Sequence, residues 1–162
     1  MATMARGTAK VTLPADNEIL ITRDFEASRH LVYRAYTTPE LVERWWHAGH
    51  GVMKSCEIDL RVGGRWRYAM DAHNGSEVAF HGEYREIVPD ERLVSTEVYE
   101  GAPDAESLGT VTFSEKDGRT TLTILSQYPD QATRDAVLQS GMESGLQVAL
   151  DLLEQVAVEL AA

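Results

Sequence analysis

Between Cys56 and Leu125 the hydrophobic pattern alternates residue by residue and is cut repeatedly by turn signals. Beyond Pro129 it changes to a helical repeat and keeps it to the end. Few folds accept that order. Cys56, Ile58 and Leu60 alternate with Glu57, Asp59 and Arg61, the period of a strand. Gly63-Gly64 follows, a pair that tolerates the positive φ of a tight hairpin turn. Trp66, Tyr68 and Met70 then alternate with Arg65 and Arg67, and Asn74-Gly75 is a second hairpin signal. Phe80 to Val88 reads as the next strand, closed by Pro89-Asp90, and Leu93 to Tyr99 as another. A flexible stretch from Gly101 to Ser107 precedes Thr110 to Ser114, and Lys116-Asp117-Gly118 turns the chain into Thr121 to Leu125. Strands this short, joined by such turns, form an antiparallel sheet.

Pro129-Asp130 opens a helix predicted to continue for roughly 28–30 residues, with a broad apolar stripe. Leu138, Met142, Leu146, Ala149, Leu153, Val156 and Leu160 share one face, and Gln147, Asp151 and Glu154 lie opposite. Such a stripe belongs to a helix laid across a core. Gly141 and Gly145 interrupt it, and a helical glycine costs about 1 kcal/mol relative to Ala. The pair therefore predicts a close approach to the helix backbone. Upstream, Glu18 to Phe25 reads as the first strand, Ser28 as the cap of a short helix, and Thr38-Pro39 as the start of a second. Residues 1–17 are expected to be a mobile tail, with Val11-Thr12-Leu13 as a candidate strand, and residues 18–162 a single domain.

Strands followed by a helix predict an α+β fold, with a curved antiparallel sheet of about seven strands around the terminal helix. A bent sheet need not be filled completely by one helix, and a cavity between them would be lined by apolar and aromatic groups. Trp45, Trp46, Trp66, Tyr68, Tyr84, Tyr99, Met142 and Leu146 are the candidate wall, and so the candidate ligand-binding residues. The plain alternative for each is core packing.

Other chemistry finds less support. The net charge of −11 disfavours nucleic acid and anionic membrane as partners. One cysteine permits no internal disulfide, which fits a cytoplasmic location. There is no apolar run long enough to span a bilayer. No dinucleotide or phosphate-loop signature calls for a cofactor. Gln139-Ser140-Gly141 and Glu143-Ser144-Gly145 are expected inside the long helix, away from any strand-to-helix elbow that would expose a nucleophile. His47-x-x-His50 has metal-like spacing, but a zinc site needs three or four ligands. His81, Glu83 and Arg85 alternate with Phe80, Gly82 and Tyr84; the aromatic set is expected inward, whereas an inward His81-Glu83 pair would be an acid–base couple. Asp59 and Arg61 are expected to form a surface ion pair.

Four stretches carry a family resemblance. They are Ile21-Thr22-Arg23-Asp24-Phe25 with Pro39-Glu40-Leu41 and Trp45-Trp46; Cys56 through Trp66; Gly82-Glu83-Tyr84 with Pro89-Asp90-Glu91-Arg92-Leu93; and Ser140-Gly141-Met142-Glu143 with Gly145. Together they resemble the bacterial branch of the heat shock protein 90 ATPase activator homologue family, within the START-like (SRPBCC, birch-pollen-allergen-like) superfamily. The resemblance covers about residues 18–160 and implies the helix-grip fold. Two positions depart from the family pattern: His47-Ala48 stands where Gly-Pro often follows the paired Trp, and Leu146 where Trp often follows the helix Gly. The eukaryotic co-chaperone has an additional N-terminal domain, for which these 162 residues leave no room, so the resemblance does not imply chaperone activation here.

The leading expectation is a binding protein for a small hydrophobic molecule. The alternatives are a cofactor-independent cyclase- or hydrolase-like enzyme using cavity polar groups, and a co-chaperone-like or regulatory interaction module. A second copy of the chain is a further candidate partner, through a sheet edge or the helix ends.

Overall fold

The alternation resolves into hairpins. The computed structural model describes residues 8–162. In chain order the elements are β1 (Lys10–Thr12), β2 (Glu18–Phe25), α1 (Arg29–Thr37), α2 (Pro39–Val42), β3 (Gly51–Ile58), β4 (Arg65–Ala72), β5 (Glu77–Val88), β6 (Arg92–Tyr99), β7 (Glu106–Lys116), β8 (Arg119–Gln127), α3 (Gln131–Gln139) and α4 (Met142–Leu160). The strands make one antiparallel sheet in the order β1-β2-β8-β7-β6-β5-β4-β3. Strands β3 to β8 are therefore a meander, and α1 and α2 carry the chain from β2 to the opposite edge. This is the expected α+β helix-grip architecture, with eight strands instead of about seven.

The additional strand comes from the segment expected to be a tail. Val11 pairs with Ile21, and the buried Ala9 is bonded twice to Gln147 of α4: its N–H donates to Oε1 at 2.8 Å and its carbonyl accepts from Nε2 at 2.9 Å. Backbone groups satisfied in this way hold residues 9–12 in place. The rest of the expected tail, residues 1–7, lies outside the described residues.

Two other expectations change in detail. Strand β3 ends at Ile58, so Leu60 is exposed in a loop over residues 59–64. That loop is longer than a two-residue turn, because the Asp59 N–H already donates to the Arg65 carbonyl and closes the ladder there. The terminal helix is broken in two. Gly141 has φ +84°, a left-handed conformation that glycine adopts without a Cβ penalty, and α4 starts afresh after it. Ser140 and Gly141 thus sit at the break between helices and not within one.

The core lies between the helices and the inner face of the sheet, and it continues from β2, β8 and β7 through Leu93, Tyr84, Tyr68 and Trp66. Ile19, Ile21 and Phe25 of β2, Phe113 of β7 and Leu122 of β8 are buried beneath Leu150, Leu153, Val156 and Ala157. Each such aliphatic or Phe side chain stabilises the fold by about 1.5–3 kcal/mol. Arg23 is buried in this layer. Its Nη1 donates to the Leu150 carbonyl at 2.7 Å, and its Nη2 to Asp151 at 2.8 Å and to Glu154 at 3.1 Å. The second Glu154 oxygen accepts from the Glu26 N–H.

The bend of the sheet shows in what touches α4. Gln147 binds the segment leading into β1, at one edge, while Gly145 faces His50, next to β3 at the other. A Cβ on Gly145 would lie 3.4 Å from the His50 Nε2, an ordinary contact, and one on Gly141 would meet nothing within 4 Å, so the close approach expected at this glycine pair is not what requires it. Both sheet edges reach the same turn of one helix.

Candidate functional site

The register assigns the inner face of β3 to β6. Cys56 is opposite Tyr68, Tyr68 opposite Phe80, and Phe80 opposite Tyr99; Ile58 is opposite Trp66, Trp66 opposite Gly82, and Tyr84 opposite Ser95. Trp46, just after α2, covers this row. Its ring meets Tyr68 edge-on at 5.5 Å and Phe80 at 5.7 Å. Tyr68 lies 4.7 Å from Trp66, and Phe80 lies 5.0 Å from Tyr99. The inner set Phe80, Gly82 and Tyr84 is thus as expected. Gly82 is required there, since a Cβ would fall 1.8 Å from the Thr96 carbonyl and 2.6 Å from the Trp66 Nε1.

This half of the inner face is incompletely covered. Tyr99 keeps 43% of its surface exposed, and Phe80, Cys56 and Ile58 are only partly buried. The hydroxyls of Tyr36, Tyr68 and Tyr84 have no hydrogen-bond partner among the described residues. Among the described residues the unpartnered side-chain polar atoms that are fully buried are Arg23 Nε, on β2, and Trp66 Nε1. The tyrosine hydroxyls therefore open onto accessible space, although Tyr68 and Tyr84 are themselves buried residues.

Glu97 belongs to the same face. It is two residues from Tyr99 on β6, opposite Ser107 of β7. The residue is exposed, and desolvation raises its carboxyl pKa above the ordinary value. Desolvation also raises the Tyr36 hydroxyl, with the Glu97 charge adding to it, and the Tyr68 hydroxyl, with Tyr84, Tyr36 and Cys56 adding ahead of Glu97; desolvation and then Glu97 push Tyr128 up to about 12. Burial foremost, then the charges of Glu43, Glu40 and Glu57, pushes the Cys56 thiol up to about 12, which keeps it neutral and poorly nucleophilic.

The eight candidate wall residues divide. Trp46, Trp66, Tyr68, Tyr84 and Tyr99 converge on the inner face of β4 to β6. Met142 and Leu146 are half-buried in the first turns of α4, against the core. Trp45 points elsewhere: it is buried, its Nε1 donates to the Ala35 carbonyl at 3.0 Å, and its ring packs on Tyr36 at 5.3 Å. It ties α2 to α1. Residue-by-residue reading passed over Glu97, Tyr36 and Tyr128. For Glu97 the signal was present, because the alternation that turns Leu93 and Tyr99 inward does the same for Ser95 and Glu97.

His81 and Glu83 lie on the outer face, so they form no inward acid–base couple. His81 bonds Glu100 at 2.9 Å, Arg67 grips the same carboxylate at 2.9 and 3.0 Å, and Glu83 pairs with Arg85 at 3.1 Å. Arg67 foremost, then His81, lowers the Glu100 carboxyl to about 2. Asp59 and Arg61 make the expected exposed pair at 2.9 Å. Beside them a hollow of about 490 Å³ at the edge of the sheet is lined by the charged or polar Glu57, Asp59, Arg65, Arg67 and His81 together with Ile58, Trp66 and Gly82. A second hollow, of about 430 Å³, opens at the rim where Met70, Ala72 and Val78 meet His50 and His73. The His47 Nδ1 accepts from the Gly49 N–H at 2.9 Å. Among the described residues no three His, Cys, Asp or Glu side chains gather to hold a metal ion. Nor is any described helix long and apolar enough to cross a membrane.

A bent antiparallel sheet closed on one helix, with an aromatic inner face left partly bare, defines the helix-grip class. The family model described as "Activator of Hsp90 ATPase homolog 1-like protein" matches residues 26–157, and the chain belongs to that family. Solved structures agree. A protein from Rhodobacter sphaeroides is 25% identical with a TM-score of 0.87, the match covering 94% of this chain and 99% of that one. One from Chromobacterium violaceum is 29% identical with a TM-score of 0.77, covering 88% and 98%. A Mycobacterium smegmatis protein at 23% identity and a TM-score of 0.82, covering 92% and 96%, shares the fold. No curated protein matches the chain.

Proposed function

We propose that this protein binds a small, largely apolar molecule between α4 and the inner face of β3 to β6. The observation that carries this reading is the bare aromatic face itself. Tyr99 is exposed on the concave side of the sheet, beside Phe80 and Trp46, with three unpartnered tyrosine hydroxyls facing the same space. Sites for small molecules combine an apolar lining with a few polar groups that fix orientation, and this face has both. Trp46, Trp66, Tyr68, Tyr84 and Tyr99 form the wall, and Met142 and Leu146 bring adaptable apolar surface from the helix. Trp45 shapes the site from behind.

A thermal-shift screen of fatty acids, sterols and aromatic polyketides tests the reading, with native mass spectrometry of the purified protein to reveal a retained molecule. A ligand at one hundred times its Kd adds about 2.7 kcal/mol of stability. Trp46→Ala and Tyr99→Leu should weaken the shift while leaving the protein folded. A screen without stabilisers, together with tryptophan fluorescence unaltered by any of these compounds, counts against it.

A further inference from the structure

Glu97 is a polar group that a purely apolar container would not carry. It stands on the inner face, between the aromatic pair Phe80 and Tyr99 on one side and Ser95 on the other. No ion pair or hydrogen bond engages its carboxylate among the described residues. The cations near this half of the sheet are committed elsewhere. Arg67 and His81 hold Glu100; Arg85 and Arg92 hold Glu83 and Glu86. These four lie on the outer face or at its rim. A carboxylate taken partly out of water without a countercharge destabilises the fold. Groups that break the local rules of stability concentrate where a protein works.

The groups around Glu97 suit a cation. Tyr36, Tyr68 and Tyr128, whose hydroxyls feel the Glu97 charge, have ring faces that attract positive charge. Their hydroxyls accept hydrogen bonds from an N–H donor. An ammonium meeting a carboxylate in such a setting makes a charge-assisted bond, about twice as strong as a neutral one. The net charge of −11 steers cations toward the protein and anions away.

We propose that Glu97 makes this site selective for amphipathic ligands whose apolar body carries a protonated amine, with the amine held by the Glu97 carboxylate amid Tyr36, Tyr68 and Tyr128. The proposal rests on the container reading above and names its ligand class. The raised pKa of Glu97 agrees with it, since a bound cation would restore the charged form.

The test uses three probes with one ring system and different heads: 2-naphthylmethylamine, 2-naphthalenemethanol and 2-naphthoate, titrated calorimetrically at pH 7.5. The amine should bind about tenfold more tightly than the alcohol, and the carboxylate about tenfold less tightly. Glu97→Gln should bring the amine to within about twofold of the alcohol and leave alcohol binding unchanged. Glu97→Asp, which keeps the charge on a shorter arm, should retain part of the preference. Glu57→Gln removes one charge from the outer face and should retain all of it, which separates a local carboxylate from the overall negative charge. Unfolding midpoints of the Glu97 variants no lower than that of the parent show that the site is intact. Equal binding of amine and alcohol, or an amine preference that survives Glu97→Gln, overturns the role of Glu97 and leaves the container reading standing. Binding of none of the three overturns both.

Discussion

The two halves of the sheet's inner face differ, although one helix faces both. On β2 and β8, Ile19, Phe25 and Leu122 are wholly buried, and even the charged Arg23 is sealed in with Glu154 of α4. On β4 to β6 the same face leaves Tyr99 exposed, Phe80 half-covered and Glu97 without a partner. A helix is about 10–12 Å across with its side chains. A wide, bent sheet offers more inner surface than one such rod can cover. The protein docks the helix firmly on one half, with an ion pair as the fastening, and leaves the other half to aromatic side chains. Stability is concentrated in the closed half, and affinity for a ligand is expected in the open one.

The sharpest way to break that contrast is to remove the fastening. Arg23→Met should destabilise the protein by about 3–5 kcal/mol, because Glu154 is then left with a buried charge and a lost partner. The double change Arg23→Met with Glu154→Leu should recover most of this. Urea unfolding of the three proteins measures it, and a loss below about 1 kcal/mol would place the fastening elsewhere.

Next come matched truncations of the two halves. Leu153→Ala should cost about 2–5 kcal/mol. Tyr99→Ala, on the open half, should cost about 1 kcal/mol or less, within reach of a surface change. Similar losses at the two positions would mean that the halves are equally packed.

The glycines sharpen the comparison further. Gly82→Ala should destabilise by about 1–3 kcal/mol, since its methyl would collide with the Thr96 carbonyl. Gly141→Ala should cost about 1–2 kcal/mol for its left-handed φ. Gly145→Ala should instead gain up to about 1 kcal/mol in helix propensity, as its methyl meets the His50 ring at ordinary contact distance. Thermal unfolding of the three variants gives both signs at once.

The smallest effects are those of pH, and the two faces oppose each other. The Glu100 carboxyl is lowered from 4.5 to about 2 in the folded protein by Arg67 and His81. Its stabilising contribution is therefore full above the unfolded value and is lost as pH falls toward the folded one. As a partly exposed pair it is worth less than about 1 kcal/mol. Glu97 has a raised folded value, so the folded state binds its proton more readily than the unfolded chain does. Its ionisation costs stability once pH rises above the unfolded value. Glu97→Gln should thus be at least as stable as the parent at pH 7, with the advantage fading on acidification toward pH ~4. Glu100→Gln should show the opposite trend, and stability curves from pH 3 to 8 would separate them.

Much of this was legible along the chain. Period-two runs cut by Gly63-Gly64, Asn74-Gly75 and Asp117-Gly118 imply hairpins, because side-chain direction in a strand follows from the backbone alone. The stripe from Met142 to Leu160 implies a helix on a core for the same local reason. That Phe80 and Tyr84 face inward and His81 faces out was readable from their alternation. The strand at Lys10–Thr12 was weakly written, since three residues carry little pattern and their pairing depends on Ile21 and Gln147 far away in sequence.

The sequence by itself determined which elements form and which side of each strand is apolar, because both follow from local geometry and side-chain chemistry. Only the tertiary structure decided which inner residues are covered. Trp45 and Trp46 are adjacent and chemically identical, yet one ties two helices together and the other roofs the aromatic row. Glu97 and Glu154 are both carboxylates on inward-facing positions, yet one finds an arginine and the other none. Coverage depends on where a distant helix comes to rest on a bent sheet, and that position is set by contacts summed over the whole core.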